Sequence, residues 1–175
     1  MRAVHGITLI EMLTAVAVLS VLSLIAVPTF DALRRDASRT AAVNSFFHAV
    51  FLARSESLTR GQTVSICKSA DGRSCLHRRV EWTVGWIVFV NADRDEPPVR
   101  DPGESVIAVY EGWPSGSITS NRVAYSFRPH VQGVVNGTIT FCDRRGPTHA
   151  RAIIINHAGR PRVARRDSRG QPLRC

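Results

Sequence analysis

Ile7 to Val27 reads ITLIEMLTAVAVLSVLSLIAV, 21 residues in which Glu11 is the sole charge. As a helix rising about 1.5 Å per residue it would extend roughly 31 Å, enough to cross the hydrocarbon core of a bilayer. Six residues, MRAVHG, precede it, with Arg2 as a short positive flank. Leu24 to Pro28 offers no A-x-A site followed by a polar start, so the run does not read as an ordinary secretory signal and is expected to stay in the mature protein. A carboxylate this far into a span costs several kcal/mol unless it meets a partner, and Glu11 is therefore expected to have a function.

Working outward, Pro28 lacks an amide donor and crowds the preceding turn, which predicts a kink. Beyond it Phe30, Leu33, Ala37, Ala41, Phe47, Phe51 and Leu58 fall within an arc of about 140° at 100° per residue, with Arg35 and Arg39 facing the other way. Gly61 is a suitable stop. The two halves predict one helix of about 54 residues, an apolar half at 7–28 and an amphipathic half at 29–61. No heptad is sustained, which argues against a soluble coiled coil.

After Gly61 the chain changes character. Runs rich in Val, Ile, Phe and Trp occur at Thr63 to Cys67, Val80 to Val90, Ser105 to Tyr110, Arg122 to Phe127, Thr138 to Cys142, Arg151 to Asn156 and Pro161 to Ala164, separated by Gly, Pro and Asp clusters. The connections are too short for crossover helices, so residues 62–175 are expected to form a mostly antiparallel β-rich head and the whole chain an α+β fold. Within it Trp86 and Phe89 are expected in the core and Gly85 at a bulge or close contact.

The chain has 175 residues, room for one domain with an appendage, and 23 basic against 14 acidic side chains give a net charge of +9. Hydrophobic residues at 44% and charged residues at 21% lie near globular averages and exclude a disordered, collagen-like or multi-pass membrane protein. Every cation except Lys68 is Arg, which keeps its charge and presents a planar fork of donors suited to phosphates. Cys67, Cys75, Cys142 and Cys175 match neither a zinc spacing nor C-x-x-C; in an exported chain they imply disulfides.

His5-Gly6-Ile7-Thr8-Leu9-Ile10-Glu11 resembles the class III signal of type IV pilins and pseudopilins. The resemblance implies a leader at 1–6 cut after Gly6 by a prepilin peptidase, N-methylation of Ile7, and pairing of Glu11 with the terminal amine of a neighbouring subunit during assembly. Phe or Met is usual after the cut; Ile7 keeps the apolar character. LARSESLTRGQTVSIC at Leu52 to Cys67, WTVGWIVFVNADRD at Trp82 to Asp95, and FCDRRG with ARAIIINHAGRPR between Phe141 and Arg162 resemble the GspH/FimT family of minor pilins and minor type II secretion pseudopilins, closest to its FimT branch. The family implies a pilin-like fold, a head in the periplasm, an inner-membrane anchor before assembly into an extracellular pilus, and other pilins as partners. In an oxidising periplasm Cys67 is expected to pair with Cys75 and Cys142 with Cys175, two other connectivities remaining open.

Chemistry in the head has few signals. No G-x-S-x-G, G-x-x-x-x-G-K-[ST] or H-E-x-x-H occurs, so neither catalysis nor a cofactor is expected. The six His at 5, 48, 77, 130, 149 and 157 lack metal-ligand spacing. Asp93, Asp95, Glu96, Asp101 and Glu104 share one loop with Arg94 and Arg100, without the EF-hand order, and read as a solvated connection rather than a Ca²⁺ site. Asn136-Gly137-Thr138 reads as a turn in preference to a glycosylation sequon.

Charge is more informative. Residues 144–175 hold Arg144, Arg145, Arg151, Arg160, Arg162, Arg165, Arg166, Arg169 and Arg174 against Asp167 alone, a balance of nine minus one, or +8. Single-sign blocks of this kind bind polyanions. Gly159 suits a turn after the apolar strand, and Arg160 and Arg162 would flank Pro161 at a hairpin edge. Gly159-Arg160-Pro161-Arg162 matches the G-R-x-R motif that the FimT branch associates with DNA binding in natural transformation, which implies DNA contacts from Arg160, Arg162, Arg165, Arg166, Arg144 and Arg145. No aromatic follows Phe141 to stack on bases, so the expected partner is duplex DNA held by its phosphates with little sequence preference. The alternative is a GspH-like pseudopilin of a type II secretion system with no DNA role.

Overall fold

The computed structural model describes residues 6, 8–76, 80–129 and 136–175. Ile7, the leader residues 1–5, His77 and His130 lie outside the described residues. The chain divides into two compact units, Met1–Ala37 and Ser38–Cys175, and helix α1, Leu9–Arg60, contributes to both. The helix continues across Pro28 and stops at Gly61, whose φ of 64° is the left-handed conformation that ends helices.

In the first unit the described side chains of the apolar run are exposed, the mean hydropathy is 2.4, and by length and composition the helix could cross a membrane. Its hydroxyls are internally satisfied: Ser20 Oγ donates to the Val16 carbonyl and Ser23 Oγ to that of Leu19, both at 2.8 Å. Such back-bonding lets Ser sit in lipid without a bare polar group.

In the second unit β1 (Val64–Lys68), β2 (Gly85–Val90), β3 (Val106–Glu111) and β5 (Ala124–Phe127) form one sheet in the order β3-β2-β1-β5. β4 (Gly116–Ser120), β6 (Gly137–Asp143), β7 (Arg151–Ile155) and β8 (Pro161–Ala164) form the other in the order β4-β6-β7-β8. All the strand pairings are antiparallel. Helix residues Ala42, Val43, Phe46, Ala49, Val50 and Ala53 share one core with Val64, Trp86, Ile139, Phe141 and Ile153 from both sheets.

The helix face differs from the expected one. Phe30, Leu33, Ala37, Ala41, Phe51 and Leu58 are exposed and Phe47 is half-buried, whereas the buried positions are Arg39, Ala42, Val43, Phe46, Ala49, Val50, Ala53 and Ser57. That set also follows helical spacing. Its mostly small side chains pack with residues of both sheets in one core. Arg39, expected to face solvent, is among the buried residues because Asp143 meets it there.

Three further differences have local causes. β4, with the sequence GSITS, carries little strand signal because Ile118 is its sole buried residue amid weak strand formers. Trp82–Val84 is a short 3-10 turn rather than the start of β2. Gly85 follows it at φ 115°, where a Cβ would come within 2.7 Å of the Tyr110 carbonyl, so the expected close contact is what the residue makes. Asn136-Gly137, expected to turn the chain, leads directly into β6, with Asn136 held by the Arg122 guanidinium.

Phe46 is the hub of the core. It is fully buried, and its ring meets Trp82, Trp86, Tyr125 and Phe141 edge-on at centroid distances of 5.5, 5.3, 5.7 and 6.3 Å. Phe46→Ala should cost about 3–5 kcal/mol, read as a lower denaturation midpoint, because four rings fixed by other elements cannot collapse into the space. An unchanged midpoint would show that the cluster repacks.

The cysteines are paired Cys67–Cys75 and Cys142–Cys175, at sequence separations of 8 and 33. The first closes a loop in which Asp71 accepts the amides of Arg73 and Ser74 and the Ser74 hydroxyl. Those bonds, the Ser74 hydroxyl foremost, hold the Asp71 carboxyl far below the usual range. The second brings Leu173 into a small apolar cluster with Cys142, Ala150 and Ala152. Chain-entropy arguments make such a tie worth about 2–4 kcal/mol.

Candidate nucleic-acid interface

The β7–β8 hairpin is built from a buried strand and an exposed one. Ile153 and Ile155 enter the core, while β8 is the edge strand, paired through Ile155 with Pro161 and Ile154 with Arg162. Pro fits the first position of an edge strand because no ladder bond is needed from it, and a charged edge discourages further strand pairing.

Asn156 shapes the turn between them. Its side-chain Oδ1 accepts the amides of Ala158 at 3.0 Å and Arg160 at 2.9 Å, and its backbone N–H donates to the Arg160 carbonyl at 3.1 Å. Gly159 sits at φ 70°, and a Cβ there would lie 3.3 Å from Phe127 Cε1 and 3.8 Å from Arg54 Cδ. The left-handed backbone conformation is what calls for glycine here, and a Cβ would in addition press on the Phe127 ring. Arg160 and Arg162 follow, both exposed. Arg160 ends the turn, and Arg162 is the second residue of the edge strand.

The other expected arginines lie toward the opposite end of the sheet from Arg160. Antiparallel register puts the 156–160 turn at the Gly137 end of β6, while Asp143, Arg144 and Arg145 lie at its opposite end. Arg165 and Arg166 follow β8 toward that far end, about 17 Å from Arg160 at 3.3 Å per residue. Arg144, Arg165 and Arg166 are exposed, and Arg166 Nη1 donates to the Gly170 carbonyl at 3.0 Å. The segment's one acid, Asp167, accepts the amides of Arg169 and Gln171.

Arg145 has a different environment. Its Nε donates to Asp143 Oδ1 at 3.1 Å and its Nη2 to Oδ2 at 2.6 Å, while Arg39 Nη1 donates to the same Oδ2 at 3.3 Å. The carboxylate thus serves two cations, one from β6's own loop and one from α1. Hydrogen bonding from the Arg145 side chain, foremost, holds the Asp143 carboxyl down at about 2 against the opposing effect of burial. This arginine is a structural ligand of Asp143 before it is anything else.

Elsewhere, the acidic loop uses its carboxylates on itself. Buried Glu104 accepts the amides of Ala92 and Asp101, Asp95 accepts that of Val99, and Glu96 pairs with Arg128 at 3.3 Å. Among the described residues no three His, Cys, Asp or Glu side chains gather as a metal site. At the other end of the chain Gly6 and Glu11 are exposed, and Glu11 lies in the first turn of α1.

Residues 42–159 match the family described as Type II transport protein GspH, and residues 1–27 match the prokaryotic N-terminal methylation motif. No curated protein matches the chain. Among solved structures, the type IV minor pilin FimU of Pseudomonas aeruginosa strain PAO1 is similar in two crystal forms, each at 18% identity. The TM-scores are 0.52 and 0.51, covering 78% and 71% of this chain and 93% and 91% of those. At that identity the likeness is one of fold, a long N-terminal helix packed on antiparallel sheets. The chain belongs to the GspH family of minor pilins and pseudopilins, structural subunits that begin with an N-terminal methylation motif.

Proposed function

We propose that the chain is a minor type IV pilin of the FimT kind, anchored in the inner membrane by residues 7–28 with its head in the periplasm, then taken into a pilus where it binds extracellular duplex DNA. Prepilin peptidase would cut after Gly6 and methylate Ile7. The observation that carries the DNA reading is the β8 edge: Arg160, Arg162 and Arg165 are exposed with no carboxylate partner among the described residues, in a segment of balance +8. The exposed Phe30, Leu33, Phe51 and Leu58 of α1 support the pilin part, since large apolar side chains left outside the head are available to other subunits.

Each phosphate neutralised releases condensed counterions, so about three to five contacts predict a slope of log K against log salt of roughly −3 to −5. Replacing Arg160 and Arg162 by Gln should flatten that slope by about two and weaken unrelated sequences equally. Titration of the full chain in neutral detergent with labelled duplex at several salt concentrations measures both. If wild type does not bind at low salt, or the double substitution changes neither affinity nor slope, the DNA role falls. The second reading, a subunit of a type II secretion pseudopilus without a nucleic-acid partner, is favoured by the description of the matched family and would then be the better account.

A further inference from the structure

We propose that Arg54 of α1 completes an anion site at the β7–β8 turn, so that a duplex phosphate lies between the helix and the turn instead of on the edge strand alone. This rests on the DNA reading of the turn and extends it to an element 105 residues earlier in the chain.

Arg54 is half-buried, and its Cδ lies 3.8 Å from the position a Cβ on Gly159 would take, so the side-chain stem runs against the turn. Arg160 follows directly, and two cationic side chains from distant segments thus flank one glycine.

Arg54 lacks an acceptor among the described residues, as exposed Arg34 does, but it is half-buried against the turn. Arg35 has Asp31 at 2.8 Å, Arg39 has Asp143 at 3.3 Å and Arg60 has Glu56, but Arg54 has neither ion pair nor hydrogen bond among the described residues. Its helical neighbours at three and four residues are Val50, Phe51, Ser57 and Leu58, none of them acidic. On the facing side the Asn156 Oδ1 already accepts two amides, and the Phe127 carbonyl already accepts the Ser57 hydroxyl at 2.8 Å. Residues 153–166 contain no acid at all. The stem of Arg54 is covered by the turn while the five donors of its guanidinium have no acceptor among the described residues, and their planar fork fits an incoming phosphate.

Arg54→Gln in the full chain should flatten the salt slope by about one and weaken duplex binding about tenfold at 0.1 M salt, while Arg54→Lys, which keeps the charge, should retain the slope. A purely structural role would give the opposite pattern, with equal losses of stability and no change of slope. Phenylglyoxal labelling of the wild-type arginines supplies a reading that needs no variant: duplex DNA should protect Arg54 together with Arg160 and leave exposed Arg34 reactive. If Arg160→Gln with Arg162→Gln flattens the slope but Arg54→Gln does not, or if Arg54 labels equally with and without duplex, the helix is not part of the site and the edge-strand reading stands alone. If wild type does not bind duplex, both fall together.

Discussion

Glu11→Ala is expected to leave the chain cleaved and inserted in the membrane yet absent from sheared filaments. The carboxylate sits in the first turn of α1 among exposed Leu9, Ile10, Met12 and Leu13. Its backbone is engaged, the amide donating to Thr8 Oγ1 at 3.4 Å and the carbonyl accepting Thr14 Oγ1 at 3.0 Å, but its side chain has no partner among the described residues. An unpaired carboxylate in hydrocarbon costs several kcal/mol, so the partner must come from another molecule, and under the pilin reading it is the amine that cleavage creates at a neighbour's Ile7. Removing the acid relieves the cost in the membrane and also the reason to dock. Glu11→Gln, which keeps the shape, should fail in the same way. A Gly6 substitution should instead block processing; since a Cβ at Gly6 meets nothing within 4 Å, that effect would belong to the peptidase and not to packing in this chain. Immunoblots of membrane and sheared fractions with intact-mass measurement separate these outcomes, and normal incorporation of Glu11→Ala would refute electrostatic docking.

Asp143→Ala should be among the most damaging changes in the head, at about 3–5 kcal/mol, because it removes a buried carboxylate that both Arg39, whose side chain is 5% exposed, and Arg145 address. Replacing the two most buried members, as in Arg39→Met with Asp143→Leu, should cost less than the single change, the remainder being the contact that Arg145 loses. The pH dependence has a definite sign. The Asp143 carboxyl is held at about 2 in the folded protein against 3.8 ordinarily, so as pH falls below about 4 the unfolded chain takes the proton first. The associated stability, about 2 kcal/mol, is complete above that range and lost progressively down to about pH 2. Denaturation midpoints at pH 5, 3 and 2 should therefore converge between wild type and Asp143→Ala; parallel curves would assign the acid sensitivity to other carboxylates.

What could be read in the sequence was local. The bounds of α1 follow from an apolar run and one glycine, and the β7–β8 hairpin follows from three isoleucines, a glycine and a proline in order. Which side of α1 faces the sheets was not legible, because Ala42, Ala49 and Ala53 carry too little hydrophobicity to outweigh Phe47 and Phe51, and the choice depends on how near the sheets come. The same limit hid Arg39 on Asp143, 104 positions apart, and Arg54 against Gly159. Pairs of that kind are set by the closure of the whole head and leave no trace in the residues on either side.

Cys142–Cys175 ties the last residue back to β6, a strand flanked by β4 and β7. Everything from 143 to 174, with the whole basic edge, is consequently a closed covalent ring. A tug on Arg160 or Arg162 is shared between two load paths, one back through β7 and one forward through the tail and across the sulfur bridge, and both finish at an interior strand. The bridge ties down an edge strand that could otherwise peel away under tension, so under the DNA reading proposed above a pull on Arg160 or Arg162 would be limited by the contacts to the duplex before it is limited by unravelling of the subunit.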